Sequence, residues 1–218
     1  MRYKFSATIL AVAIRIGLAT GLLAVFSEPS QAQPLVVRQG LPAPTFGTEY
    51  ELWRSQGYRM TQVSGYEVGG LPYYSAIWEQ RPGSTWVARH AMPAPMFQIE
   101  LSVWRSQGYR LLSIDGYVSN GQVVYAAIWE QATGSEQVVR YGMPGPVYQT
   151  EFNMWVNQGY RLRWVEGFGM GPQAYYAAIW ERAAGPAWKA RHGLTVAEYQ
   201  IESLQSMADG YRLAHLSA

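Results

Sequence analysis

One unit of 51 residues occurs three times in succession in this chain and begins a fourth time, with no insertion or deletion to break the count. Arg38 opens it and returns as Arg89, Arg140 and Arg191. Gly57-Tyr58-Arg59 recurs as Gly108-Tyr109-Arg110, Gly159-Tyr160-Arg161 and Gly210-Tyr211-Arg212, and Trp78-Glu79 recurs as Trp129-Glu130 and Trp180-Glu181. A period of about 50 residues marks a supersecondary unit that cannot bury its apolar face alone and must pack on its neighbours. The chain is therefore expected to fold as an array, with repeats at about 38–88, 89–139 and 140–190 and a partial copy at 191–218. Such a period constrains architecture and leaves function open.

The first residues read as an address label. Arg2 and Lys4 precede the apolar or small-residue run from Ile16 to Phe26, and Ser30-Gln31-Ala32 before Gln33 fits a small-x-small cleavage site. Residues 1–32 are read as a signal peptide, with Gln33 as the mature start and a secreted or periplasmic location. A retained membrane anchor is disfavoured because Arg15 leaves the apolar stretch well short of the roughly 20 residues needed to span a bilayer. Without that segment, 14 basic residues face 14 acidic ones. A neutral surface gives no footprint for nucleic acid, whose phosphates require clustered Lys and Arg. No stable membrane insertion is expected after cleavage. Zero cysteines exclude disulfides, so residues 33–218 must be held by a core, to which 9 Trp and 16 Tyr contribute.

Within a unit, local signals are strong. Thr195-Val196-Ala197-Glu198 is a capping-box pattern; the other copies place Pro42, Pro93 and Pro144 there, where a missing N–H is tolerated. Phe46, Tyr50 and Trp53, and their equivalents, fall at i, i+4 and i+7 and form one helical face. Gly57, Gly108, Gly159 and Gly210 supply the left-handed residue that ends a helix. Residues 58–63 and 73–79 read as a hairpin through Gly69-Gly70, and residues 85–90 as a third short strand after Pro82-Gly83-Ser84. The expected fold is α+β: a helix followed by a three-stranded antiparallel meander, repeated. Residues 34–39 then match a third strand without its two predecessors, and 191–218 a helix and first strand. Closure of these ends into a compact or ring-like array is one expectation, an open boundary the other.

No catalytic constellation has specific spacing. There is no Cys nucleophile, no Gly-x-Ser-x-Gly elbow, no Ser-x-x-Lys pair and no Gly-Lys phosphate loop. His90 and His192 are equivalent, but the intervening copy has Tyr141, so both are assigned to packing, and no cofactor or metal is expected. Glu79, Glu130 and Glu181, with Arg59, Arg110, Arg161 and Arg212, are assigned to Arg–Glu bridges or Arg–aromatic stacking, because a catalytic acid–base pair needs two different environments and a repeat supplies one environment several times. Glu49, Glu100, Glu151 and Glu202 are alternative partners for the same arginines. The remaining candidates are aromatic: Tyr74, Trp86, Tyr125, Tyr141, Tyr176 and Trp188 are proposed as a binding row that stacks on a sugar or an extended peptide.

The runs Arg191 to Thr195, Tyr199-Gln200, Gly210 to Leu213, Gly116-Tyr117 and Tyr175 to Glu181 resemble the bacterial tandem-repeat domain of the amino-terminal half of fungal polyglycine hydrolases, also found beside β-lactamase-like serine hydrolase domains. The resemblance covers residues 34–218. It implies that catalysis in such relatives belongs to the separate hydrolase domain, which this sequence does not contain, and hence an accessory or recognition role. Three readings follow: a secreted noncatalytic module that binds an extracellular peptide, protein or glycan; a stand-alone secreted hydrolase; and a structural repeat protein completed by a partner chain.

Overall fold

The recurring Gly-Tyr-Arg triplets mark the same joint in every unit. In a computed structural model, which describes residues 34–217, each triplet follows a 13-residue helix: α1 (Ala43–Ser55), α2 (Ala94–Ser106), α3 (Gly145–Asn157) and α4 (Val196–Ala208). The expected signal peptide and cleavage point, residues 1–32 and Gln33, lie outside the described residues. Gly57, Gly108, Gly159 and Gly210 all take φ between 80° and 85°, the left-handed geometry that a side chain with Cβ resists. At the other end, Pro42, Pro93 and Pro144 are the N-cap residues, with a second Pro one or two positions inside. Thr195 completes the capping box: Glu198 N–H donates to its Oγ1 at 3.3 Å, and its own N–H donates to Glu198 Oε2 at 2.7 Å.

The strands are β1 (Leu35–Pro42), β2 (Arg59–Val68), β3 (Leu71–Glu79), β4 (Trp86–Pro93), β5 (Tyr109–Ser119), β6 (Gln122–Gln131), β7 (Gln137–Pro144), β8 (Tyr160–Met170) and β9 (Gln173–Arg182). They form three separate antiparallel sheets in the orders β1-β3-β2, β4-β6-β5 and β7-β9-β8. The α+β repeat with a three-stranded antiparallel sheet is as expected, but its wiring differs from a meander following the helix. β3 pairs with β2 on one side and with β1 on the other, Val36 opposite Trp78 and Val37 opposite Ile77. Both of its edges are thereby occupied, so β4 has no free edge on β3 and pairs with β6 of the next unit. The structural unit is strand, helix, strand, strand, and residues 34–39 are the first strand of a whole unit rather than a remnant. Nor do the terminal pieces meet in a ring: β1 completes the first sheet, while His215 Nε2 bonds to Val165 O at 2.7 Å on β8.

Each sheet buries its central tryptophan. Trp78, Trp129 and Trp180 are no more than 1% exposed, and each core also holds the first aromatic of the helix, Phe46, Phe97 or Tyr148. Units pack through β2 against β5 and β5 against β8. A Cβ on Gly65 would lie 2.4 Å from the Tyr117 ring, and one on Gly116 2.4 Å from Phe168, so glycine is required for this approach. Polar contacts pin the same seams. Arg59 bridges to Glu130 at 3.0 Å and Arg110 to Glu181 at 2.9 Å, each arginine reaching the glutamate of the following unit. Trp164 Nε1 donates to Ile114 O at 2.8 Å.

Candidate functional site

The recurring charges are spent on architecture. Two of the expected Arg–Glu bridges exist, Arg59–Glu130 and Arg110–Glu181, and they join units rather than closing within one, while Arg161 stacks over Trp188. The helix glutamates take other partners than those arginines: Glu49 accepts from Arg38 Nε at 3.2 Å and Trp53 Nε1 at 2.5 Å, Glu151 accepts from Arg140 Nε at 3.1 Å and Trp155 Nε1 at 2.7 Å, and Glu100 accepts from Trp104 Nε1 at 2.6 Å. Each such glutamate ties the opening strand to the far end of its helix.

A line of carboxyl groups runs through the seams. Gly65 N–H donates to Asp115 Oδ2 at 2.7 Å, and the next unit's equivalent, Glu166, accepts from Ser217 Oγ at 2.6 Å. Burial, then the charge of Glu166, raises Asp115 well above the ordinary carboxylate range, against the lowering effect of the Gly65 N–H and the Ser64 hydroxyl. Burial likewise pushes Glu166 up to about 7, with Ser217 opposing it.

The proposed aromatic row is not a row on the surface. Tyr74, Trp86, Tyr125 and Tyr176 are buried, at 0%, 8%, 2% and 9% exposure; they fill the units' cores, so their faces are closed to a ligand. Tyr141 and Trp188 are half-buried. Tyr141 donates its hydroxyl to Gln98 Oε1 at 2.7 Å, and Trp188 lies edge-on to Phe152 under the Arg161 guanidinium. The six do not converge.

The fold instead opens a cleft of about 300 Å³ between α1 and β4. Phe46, Val63 and Ala88 line its apolar part, and Gly47, Glu51 and His90 give it polar character. A second, smaller cleft of about 230 Å³ lies at the equivalent place in the third unit, beside Gln149 and His192. His90 sits on a β-bulge between Arg89 and Met92. The next residue, Ala91, has φ 53°, where the equivalent positions are Gly40, Gly142 and Gly193, a strained backbone for a residue with a Cβ. Its N–H donates to Tyr117 Oη at 3.1 Å, the Tyr117 and Tyr74 hydroxyls lie 2.8 Å apart, and Tyr74 Oη lies 3.1 Å from His90 Nδ1. Burial raises both phenols, which stay protonated, and burial with the neighbouring Arg89 charge lowers His90. The imidazole is therefore neutral near pH 7. Arg89 is already engaged, donating to Ala88 O at 3.0 Å and stacking over Trp104. Glu51 is exposed and has no ion-pair partner among the described residues.

Gly47, Glu51 and His90 were missed as site residues. Their signal was a difference between copies: Gly47 against Gln98 and Gln149, and Glu51 against Ser102 and Asn153. Among the described residues no group of three or more His, Asp or Glu gathers as a metal site, and no helix is long and apolar enough to cross a membrane.

The model of one protein family, polyglycine hydrolase-like structural repeats, matches this chain four times, at residues 32–81, 83–132, 134–183 and 185–218. The chain belongs to that family. The first three family-defined repeats begin just before β1, β4 and β7, in agreement with the strand-helix-strand-strand unit.

Proposed function

We propose that this protein is a secreted, noncatalytic repeat module that binds an extracellular peptide, protein or glycan, as an accessory to a hydrolase acting on the same material. The observation that carries the reading is the division of labour among its side chains. The residues that recur in every unit are consumed in cores, helix ends and seams, whereas the open cleft is lined at its rim by Gly47 and Glu51, which do not recur, and by His90, which returns only as His192. A concave apolar pocket with a few polar groups is the ordinary form of a recognition site. His90 is directed to Tyr74, which in turn meets Tyr117, and neither phenol has a depressed pKa to serve as a nucleophile. The signal-peptide pattern of residues 1–32 supports export.

Titration calorimetry of residues 33–218 against peptides and cell-wall glycans tests the reading. Saturable binding of one of these, with no turnover, is expected. Reproducible cleavage of a polyglycine or ester substrate, abolished by one point substitution, would make the chain a hydrolase. Assembly with a partner chain has one observation in its favour: Val196 and Ile201 on α4 are 76% and 70% exposed, an apolar face of the kind that partners cover.

A further inference from the structure

In two of the three complete units a glutamine reaches from the helix to the residue on the bulge. Gln98 Oε1 accepts from Tyr141 Oη at 2.7 Å, and Gln149 Oε1 meets His192 Nε2 at 2.7 Å. The amide nitrogen of the same side chain turns to the residue one helical turn on: Gln98 Nε2 to Ser102 Oγ at 3.5 Å, and Gln149 Nε2 to Asn153 Oδ1 at 2.8 Å. A carboxamide thus sits between a donor on the strand and an acceptor on the helix. Between α1 and β4 the donor and the acceptor are present and the carboxamide is not. His90 stands in the place of Tyr141 and His192, Glu51 in the place of Ser102 and Asn153, and Gly47 carries no side chain where the two glutamines begin. A Cβ on Gly47 would meet no atom within 4 Å, and this is the larger of the two clefts.

We infer that the first-unit cleft binds the side-chain carboxamide of a peptide glutamine, whose oxygen accepts from His90 Nε2–H and whose amide nitrogen donates to the Glu51 carboxylate. The inference rests on the binding-module reading and gives its ligand a chemistry. Ala91 N–H donates to Tyr117 Oη, and the assignment that gives both hydroxyl hydrogens an acceptor runs from Tyr117 to Tyr74 and from Tyr74 to His90 Nδ1, which places the imidazole hydrogen on Nε2. A glutamate side chain in the same place would set a carboxylate against Glu51. The cleft therefore discriminates an amide from an acid of the same shape through the charge of Glu51. Phe46, Val63 and Ala88 receive the methylene stem.

The test uses residues 33–218 and three probes: acetyl-Ala-Gln-Ala N-methylamide, its Glu counterpart, and an N-acetylglucosamine trimer. Calorimetry should show binding of the Gln peptide and at least about tenfold weaker binding of the Glu peptide, the scale of one charge-assisted hydrogen bond. Gly47→Gln should restore the arrangement of the other units, melt no lower than the parent because Gln replaces Gly inside a helix, and lose the peptide. Glu51→Ala, at an exposed position, should weaken it by a similar factor without altering the melt. Equal binding of the Gln and Glu peptides, or binding indifferent to both substitutions, would overturn the assignment while leaving a binding module. Binding of the sugar trimer alone would replace the carboxamide with a glycan. Absence of binding by every peptide, protein and glycan in the wider screen would instead remove the module reading itself.

Discussion

Trp129 has no more than 1% of its surface exposed and faces Phe97 with ring centroids 6.1 Å apart. Its replacement by Ala should cost about 3–5 kcal/mol, the range for a buried aromatic, and Trp78 and Trp180 should cost the same, since each occupies the same place in its sheet. Chemical denaturation of the three variants measures this; a cost below about 1 kcal/mol would mean that the surrounding core collapses to fill the space. Glu166 makes a different prediction. Its carboxyl is raised from an ordinary 4.5 to about 7 in the folded chain, so between those values the folded state holds a proton that the unfolded state has released. Stability is then greatest below about pH 4.5 as far as this group is concerned, falls as pH rises toward 7, and is flat above. Asp115 is raised in the same direction and adds to the trend. Melting temperatures from pH 5 to pH 8 should decline, and Glu166→Gln should flatten the decline.

At the level of elements, the same residue type does unequal work according to which unit precedes it. Glu130 receives Arg59 of the unit before, with side chains 16% and 8% exposed, whereas Glu79 meets only Arg81, with both about 36% exposed. Glu130→Gln should cost about 1.5–3 kcal/mol, as for a hydrogen bond to a charged group, and Glu79→Gln within about 0.5 kcal/mol; equal losses in denaturant midpoints would deny the difference. Sequence reasoning that treats the three glutamates as equivalent misses this, because the bridge spans a seam and seams are not visible in one unit's pattern. What local chemistry dictates was legible: the glycines at the helix ends, the Thr195–Glu198 box and the i, i+4, i+7 face of α1. Strand pairing was not, since it depends on β1 reaching β3 before β4 can, a competition between segments far apart in the chain. The cleft was written in the sequence as well, but as a missing side chain at Gly47. A search for residues that recur passes over it.

At the scale of the molecule, the stack depends on backbones that approach across each seam. Gly116→Ala would place a methyl 2.4 Å from the Phe168 ring, which is held between the Tyr125 edge and the stacked Tyr175 ring. This substitution should separate the second and third units' unfolding into two transitions in a calorimetric scan, because a repeat array is held by nearest-neighbour terms; a single unshifted transition would show that the seam gives way harmlessly. The helix-to-bulge space has the opposite character. It lies outside the cores, and the residue that fills it projects from the first turns of a helix whose Phe46, Phe97 or Tyr148 is already seated. A single codon at position 47, 98 or 149 therefore decides whether the slot between one unit's helix and the next unit's opening strand is blank or keyed. If the proposed binding role holds, an array of this design changes its ligand one notch at a time, at positions that lie apart from the buried tryptophans and the glycine seams that carry the stack.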